Sequence, residues 1–298
     1  MANPQQLRGR IRSVENTRQI TRTMEMVSTS KLKRAQDRVV ATRPYAQALS
    51  DVIGDLYSPE LAERFPLLRQ PGDGAKCVAL VLITSNRGLC GGFNSNLIKL
   101  ARARIEQLEQ KNVSVRLHLI GKKGIGYFKY IGQEIASARE DIGDKPTVEH
   151  AADVVQPLVE AFEREELDAV EVIFANFRSA MSTPPVNQRI LPVEAPGARV
   201  NKSKSARAAG PVRVPNYILK PSAAEIVSSV LPMYVRNSMY RALVETAAAE
   251  HGARRTAMKS ATDNAGDMID SLRRVLNRAR QAKITQEIAE IVGGADAS

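Results

Sequence analysis

Two glycine-rich segments are the first places to look for chemistry. Thr84-Ser85-Asn86-Arg87-Gly88-Leu89-Cys90-Gly91-Gly92 follows an apolar run and opens a helical pattern. A glycine turn at a helix N-terminus presents backbone amides to phosphate, so a nucleotide-binding enzyme is one reading. The segment is neither G-x-G-x-x-G nor G-x-x-x-x-G-K-[ST], and no acidic residue stands where a ribose would need one. Gly121-Lys122-Lys123-Gly124-Ile125-Gly126 fails in the same way, with no Ser or Thr after a lysine. Both are read as tight structural turns. The strand-end loops offer no paired carboxylates, no nucleophile elbow and no histidine with a partner. His118, His150 and His251 lie far apart, without metal-ligand spacing. Cys77 falls in a strand pattern and Cys90 in the glycine turn, and two cysteines make neither a disulfide framework nor a zinc site. No catalytic, cofactor-binding or metal-binding residue is expected.

The elements that would position these turns form an α/β pattern. Residues 76–83 (KCVALVLI) are a continuous apolar, β-branched run, as in a buried parallel strand. Asn94–Gln110 reads as a helix, Val113–Ile120 as a strand and Lys122–Ile131 as a short helix. Gln133–Ser137 reads as a weak strand, Thr147–Glu165 as a helix and Ala169–Phe177 as a strong strand. Val186–Val193, after Pro184-Pro185, reads as an antiparallel edge strand. Alternation at these lengths indicates a Rossmann-like three-layer sandwich over residues 76–220. Residues 195–215 are basic, Gly/Pro/Ser-rich and aperiodic, which predicts a loop.

The two ends of the chain read as long helices, 1–58 and 222–292. In the first, Leu7, Ile11, Val14, Ile20, Met24, Val27, Ala35 and Val39 form a stripe at helical spacing, with a bend expected at Pro44 and an end at Gly54 and Pro59. In the second, Ser222 and Glu225 make a capping box, and Gly293-Gly294 supplies a stop. Ala265, Ile269, Leu272, Leu276 and Ala279 repeat at four, three, four, three, the seam of a coiled coil. At about 1.5 Å per residue the helices would be roughly 80 Å and 105 Å long, too long for a globular domain of this size. Each has a narrow apolar stripe and needs a partner, so they are expected to pair antiparallel. A register placing Met24 opposite about Arg255 and Leu7 opposite about Leu272 would leave the second helix unpaired beyond roughly residue 275. That overhang still carries Ile284, Ile288, Ile291 and Val292, which predicts a socket on another protein.

Charge narrows the choice of partner. The 298 residues hold 43 Lys and Arg against 32 Asp and Glu, a net charge of +11, with 43% apolar residues but only 4% aromatic. Residues 1–43 carry ten basic residues against three acidic ones, and residues 254–283 carry eight against three. A basic coiled coil could bind nucleic acid, yet it lacks a binding motif and the aromatic residues that stack bases. A ring of acidic protein loops explains the pattern as well. No apolar run reaches membrane-spanning length, and the N-terminus lacks the apolar core of a secretory signal.

Three segments carry a family resemblance. Arg10-Ile11-Arg12-Ser13-Val14-Glu15-Asn16-Thr17, with Gln19-Ile20-Thr21, Met24-Glu25-Met26-Val27 and Lys31-Leu32, resembles the first helix of the F-type ATP synthase gamma subunit. Ile83 to Asn94 resembles its central-domain turn. Glu250-His251-Gly252-Ala253-Arg254, Ala257-Met258-Lys259, Ala261 to Ala265 and Asn277 to Glu287 resemble its last helix. The resemblance implies a central rotor shaft, a coiled coil inside a ring of three alpha and three beta subunits, with the α/β domain at the foot near the epsilon subunit and the c-ring. It implies a non-catalytic subunit that binds no substrate, uses no cofactor and couples ion transport to ATP synthesis. By residue-wise carry-over, Arg280, Gln281 and Thr285 match positions that contact an acidic loop of the beta subunit. Met24 and Arg254 match positions where helix pairing and coupling meet. Without a transit peptide or the chloroplast cysteine insertion, a bacterial protein on the cytoplasmic face of the plasma membrane is expected.

Overall fold

A computed structural model of the chain describes residues 4–56, 64–69, 75–193 and 223–295. The basic segment at 195–215, Pro59 and the Ser222 cap lie outside the described residues. Contacts divide the chain into two units, residues 1–30 with 254–298 and residues 31–253. The division runs through both long helices, α1 (Pro4–Leu56) and α5 (Ala223–Ala295).

The second unit is built on one sheet. Its strands are β1 (Cys77–Ile83), β2 (Ser114–Ile120), β3 (Ser137–Arg139), β4 (Ala169–Ala175) and β5 (Pro185–Leu191), in spatial order β3-β2-β1-β4-β5. The first four are mutually parallel and β5 is an antiparallel edge, as the apolar runs and the Pro184-Pro185 break predict. β3 is displaced by a few residues from the expected Gln133–Ser137, because a three-residue edge pairing leaves little sequence signal. Helices α2 (Phe93–Glu109), α3 (Lys122–Tyr130) and α4 (Val148–Glu163) make the crossovers. The sheet is buried on both faces. Ala79, Val81 and Ile83 join Ala151, Val155, Leu158 and Phe162 of α4 on one side, while Leu80 and Leu82 join Leu97, Ala101 and Ile105 of α2 and Phe128 of α3 on the other. These are the three layers of the expected sandwich. α4 starts at a capping box that the sequence reading missed: the His150 amide donates to Thr147 Oγ1 and the Thr147 amide to His150 Nδ1, both at 3.3 Å.

Residues 31–56 of α1 and 223–253 of α5 belong to this unit. Leu32, Ala35 and Val39 pack in the second cluster with Val244, Ala248 and Ala249, while Ile53 joins the first with Val227, Leu231, Val235 and Met239. From Ala242 to Gly252 every residue of α5 is buried, so the helix is covered on all sides. Small residues make this possible: a Cβ on Gly252 would lie 3.3 Å from the Ala180 carbonyl oxygen.

The first unit is an antiparallel helix pair. Thr21 and Thr262 hydroxyls meet at 2.8 Å, and Arg273 Nη2 pairs with Glu15 at 2.8 Å. On α5 the seam runs Met258, Thr262, Ala265, Ile269, Leu272, Leu276, Ala279, matching the expected heptad. On α1 it departs from expectation. The inward positions continue from Leu7, Ile11 and Val14 at four-three spacing to Thr21 and Ser28, both buried, while Ile20 and Val27 are 60% and 51% exposed. Seam geometry overrides residue polarity here, because the Thr21 hydroxyl finds a partner across the interface. The register also shifts by about one turn. Thr21 level with Thr262 puts Met24 near Lys259 rather than Arg255, and Leu7 near Leu276 rather than Leu272. The expected stop at Gly293-Gly294 does not occur, since α5 continues to Ala295. Each glycine costs a helix only about 1 kcal/mol.

Candidate functional site

The glycine turn after β1 spends its polar side chains on the protein's own backbone and side chains. The Ser85 amide donates to Asn94 Oδ1 (3.0 Å), Ser85 Oγ donates to the Arg87 carbonyl (2.6 Å), and Asn94 Nδ2 donates to Ser85 Oγ (2.8 Å) and Cys90 Sγ (3.2 Å). Asn86 Nδ2 donates to the carbonyls of Glu140 and Ile142, and its Oδ1 accepts from the Lys122 amide at 2.9 Å. The amide at the start of α3 that could greet a phosphate is therefore capped by Asn86. A cleft of about 610 Å³ beside the turn is lined by Arg87, Lys122 and Lys145 but also by Glu140, Asp144 and Glu250. Lys122 already pairs with Glu140 at 3.5 Å. Mixed, paired charge does not make an anion cradle. Among the described residues no group of three or more His, Cys, Asp or Glu side chains could hold a metal ion.

The second glycine segment is a close backbone crossing. Gly121 has φ +100°, and a Cβ there would lie 2.2 Å from the Thr84 carbonyl oxygen. Thr84 Oγ1 accepts from the Gly124 amide at 3.0 Å and can donate to the Ile120 carbonyl at 3.0 Å, tying the ends of β1 and β2 to the start of α3.

Two carboxylates are held by basic partners. Glu171, 2% exposed on β4, receives Arg104 of α2 in a two-pronged pair (2.7 and 2.6 Å) and Asn187 of β5 at 2.5 Å. Burial alone would raise its pKa, but the Arg104 and Asn187 hydrogen bonds with the Arg104 and Arg189 charges bring it below the usual carboxylate value. Asp144 is likewise pushed up by burial and brought down overall by its Lys31 hydrogen bond and the charges of His251, Lys31 and Arg87. Sequence reading missed Glu171, whose only signal is one acid inside an otherwise apolar strand.

The outward-facing groups lie on the helix pair. Arg280, Gln281 and Thr285 are all exposed on α5, with Thr285 Oγ1 donating to the Gln281 carbonyl. Met24 is half-buried on α1 and Arg254 is buried on α5. In the observed register Arg254 lies roughly level with Thr29, more than a turn from Met24, so the two are not brought face to face. Ile284 and Ile288 are 47% and 56% exposed, while the side chains of Ile291 and Val292 lie outside those described. After Ala279 the seam spacing would fall on Lys283, Gln286 and Glu290, all polar, whereas Ile284, Ile288 and Ile291 fall one position later or more. The pairing seam ends there, and an apolar stripe in a different phase replaces it.

Comparison with known proteins agrees in extent and kind. A family model described as ATP synthase matches residues 3–297. The ATP synthase gamma chain of Gemmatimonas aurantiaca is 56% identical over 297 residues, covering 100% of this chain and 99% of that one. That of Leptospira biflexa is 43% identical with the same coverage. Among solved structures, a rotor chain of the Euglena gracilis mitochondrial ATP synthase aligns with a TM-score of 0.65 at 18% identity, covering 94% of this chain and 98% of that chain. A central-stalk chain of the Tetrahymena thermophila mitochondrial enzyme aligns at 0.58 and 23%, covering 81% and 99%. These two speak to the fold, which they share. The sequence match leaves no stretch of the described helices or sheet to any other family: the chain belongs to the gamma chains of ATP synthase.

Proposed function

We propose that the chain is the central rotor shaft of an F-type ATP synthase, coupling ion translocation through the membrane sector to ATP synthesis or hydrolysis in the alpha/beta ring. The observation that carries this reading is the change of phase on α5 after Ala279. An apolar stripe that stays exposed where the pairing seam has ended needs an outside partner. Ile284, Ile288, Ile291 and Val292 enter the apolar bearing of the alpha/beta ring. Arg280, Gln281 and Thr285 meet an acidic loop of the beta subunit, the basic excess on both helices supplying complementary charge. Met24 and Arg254 act separately, one on each helix, at the level of coupling. The α/β unit provides the connection to the epsilon subunit and the c-ring. The chain supplies no catalytic groups, and it works as a peripheral protein on the cytoplasmic face of a bacterial plasma membrane. No described helix is long and apolar enough to cross a membrane.

The test is co-purification with a tagged full-length chain. Alpha and beta subunits recovered in excess over the tagged chain, together with ATP-driven rotation of the complex, are the expected result. A tagged chain that assembles with neither subunit in its native host overturns the reading.

A further inference from the structure

Residues 140–147, between β3 and α4, join three parts of the second unit through named atoms. Asn86 Nδ2 donates to the carbonyls of Glu140 (3.0 Å) and Ile142 (3.1 Å), fixing the segment to the turn after β1. Asp144 then reaches both long helices. Its Oδ2 receives Lys31 Nζ of α1 at 2.5 Å, and its backbone carbonyl receives Arg38 Nη1 of α1 at 3.2 Å. Its Oδ1 lies 3.8 Å from Nε2 of the buried His251 of α5. Lys31 and His251 stand close to the positions, 30/31 and 253/254, where the helices pass out of this unit.

We infer that Asp144 is a torque-bearing clamp that locks the α/β fold to α1, beside His251 of α5, at the level where the helices leave it. The inference rests on the shaft reading and adds a positioning residue to it. Apolar packing along the single covered stripe of α1 is non-directional, so it resists separation better than sliding. Charge-assisted hydrogen bonds depend on distance and angle, so they resist shear. A pair about a third exposed, as Lys31 and Asp144 are, adds little to folding stability. Its placement is thus better explained by stiffness than by stability. The charges around Asp144 keep its carboxylate ionised at neutral pH, as a clamp requires.

The experiment uses the assembled complex, with the alpha/beta ring immobilised and a probe at exposed Tyr130 on the α/β unit. The width of the probe's angular distribution in the stalled rotor reads torsional compliance, and amide exchange of residues 140–147 reads opening of the clamp. Asp144→Asn and Lys31→Met are expected to widen the distribution and to speed exchange roughly three- to tenfold. Asp144→Glu, which keeps the charge, returns both toward wild type. Leu108→Ala, in a small apolar cluster with Val78, Val113 and Ala169, destabilises the fold without widening the distribution. Faster exchange without widening, or no change in either, overturns the clamp. A wild-type complex whose probe does not turn with ATP would sink the shaft reading itself, before any variant is compared.

Discussion

Gly121→Ala is expected to be among the most damaging single-methyl changes in the chain. The added Cβ would sit 2.2 Å from the Thr84 carbonyl oxygen, 2.7 Å from its carbon and 2.8 Å from Oγ1, where ordinary contact begins near 3.4 Å. Relief therefore needs a backbone shift of about 1 Å in a buried peptide that is anchored on both sides. The Thr84 amide donates to Ile120 at 2.8 Å and Thr84 Oγ1 accepts from Gly124, so a shift strains at least two hydrogen bonds of about 1 kcal/mol each. An alanine at φ +100° adds about 1–3 kcal/mol of backbone strain. The sum is a loss of about 3–5 kcal/mol. Gly126 in the same motif lies on an exposed face of α3 with nothing within 4 Å of its Cβ position, so Gly126→Ala is expected to stabilise by about 0.5–1 kcal/mol. Gly124→Ala, whose Cβ would be 2.9 Å from Thr84 Oγ1, falls between the two. Urea denaturation of the full-length chain, followed by far-ultraviolet circular dichroism, ranks the three. A Gly121→Ala midpoint equal to wild type, or below-average damage relative to Gly124→Ala, refutes the steric reasoning.

Other changes probe the helix pair and the buried acids. Ile284→Asp and Ile288→Asp should leave the isolated chain within about 0.5 kcal/mol of wild type yet reduce recovery of alpha and beta subunits. Equal recovery would remove the bearing role. At the Thr21–Thr262 contact there are three hydroxyl contacts but two protons, since each hydroxyl also faces a carbonyl of its own helix, Arg18 or Met258. Thr21→Val or Thr262→Val should each cost about 1 kcal/mol or less, and the double variant less than their sum, in a denaturation cycle. Glu171→Gln should cost about 1.5–3 kcal/mol at pH 7, from the charge-assisted bonds it removes. Because the folded pKa of Glu171 is depressed, its stabilisation is complete above the unfolded value of about 4.3 and is lost as pH falls through the folded value. The wild-type acid limb should therefore be steeper than that of Glu171→Gln. His118 is also depressed, by burial and then by Arg116, so stability should begin to fall as pH drops below about 6.5. His118→Asn should flatten that segment of the pH titration.

Where burial and sequence period coincide, the fold is legible from the chain alone. Apolar runs such as 77–83, and 169–175 apart from Glu171, can hardly be anything but two-sided strands, and the Ala265-to-Ala279 heptad marks its own seam. The α1 seam is hidden from hydrophobicity alone. The four-three spacing from Leu7, Ile11 and Val14 falls on Thr21 and Ser28 and leaves Ile20 and Val27 outside. Polarity misleads when a polar side chain has its partner on another element, something local sequence does not encode. The same reason hid Glu171, whose partners Arg104 and Asn187 are far along the chain. Helix register is legible in the sequence only to within a turn, because apolar layers four residues apart look alike and a unique pair such as Thr21 and Thr262 is what distinguishes them.

The stretch of α5 from Ala242 to Gly252 has a further consequence, since it has no outward side. A helix with one covered stripe can roll in its seat, trading one row of side chains for the next. Here a roll would pull Glu245 from the Phe177 amide, and would drive the Ala180 backbone into residues bulkier than Gly252. The stretch is splined into its housing, so α5 resists a twist by shape, whereas α1, covered along one stripe, depends on directional contacts such as that of Lys31 with Asp144.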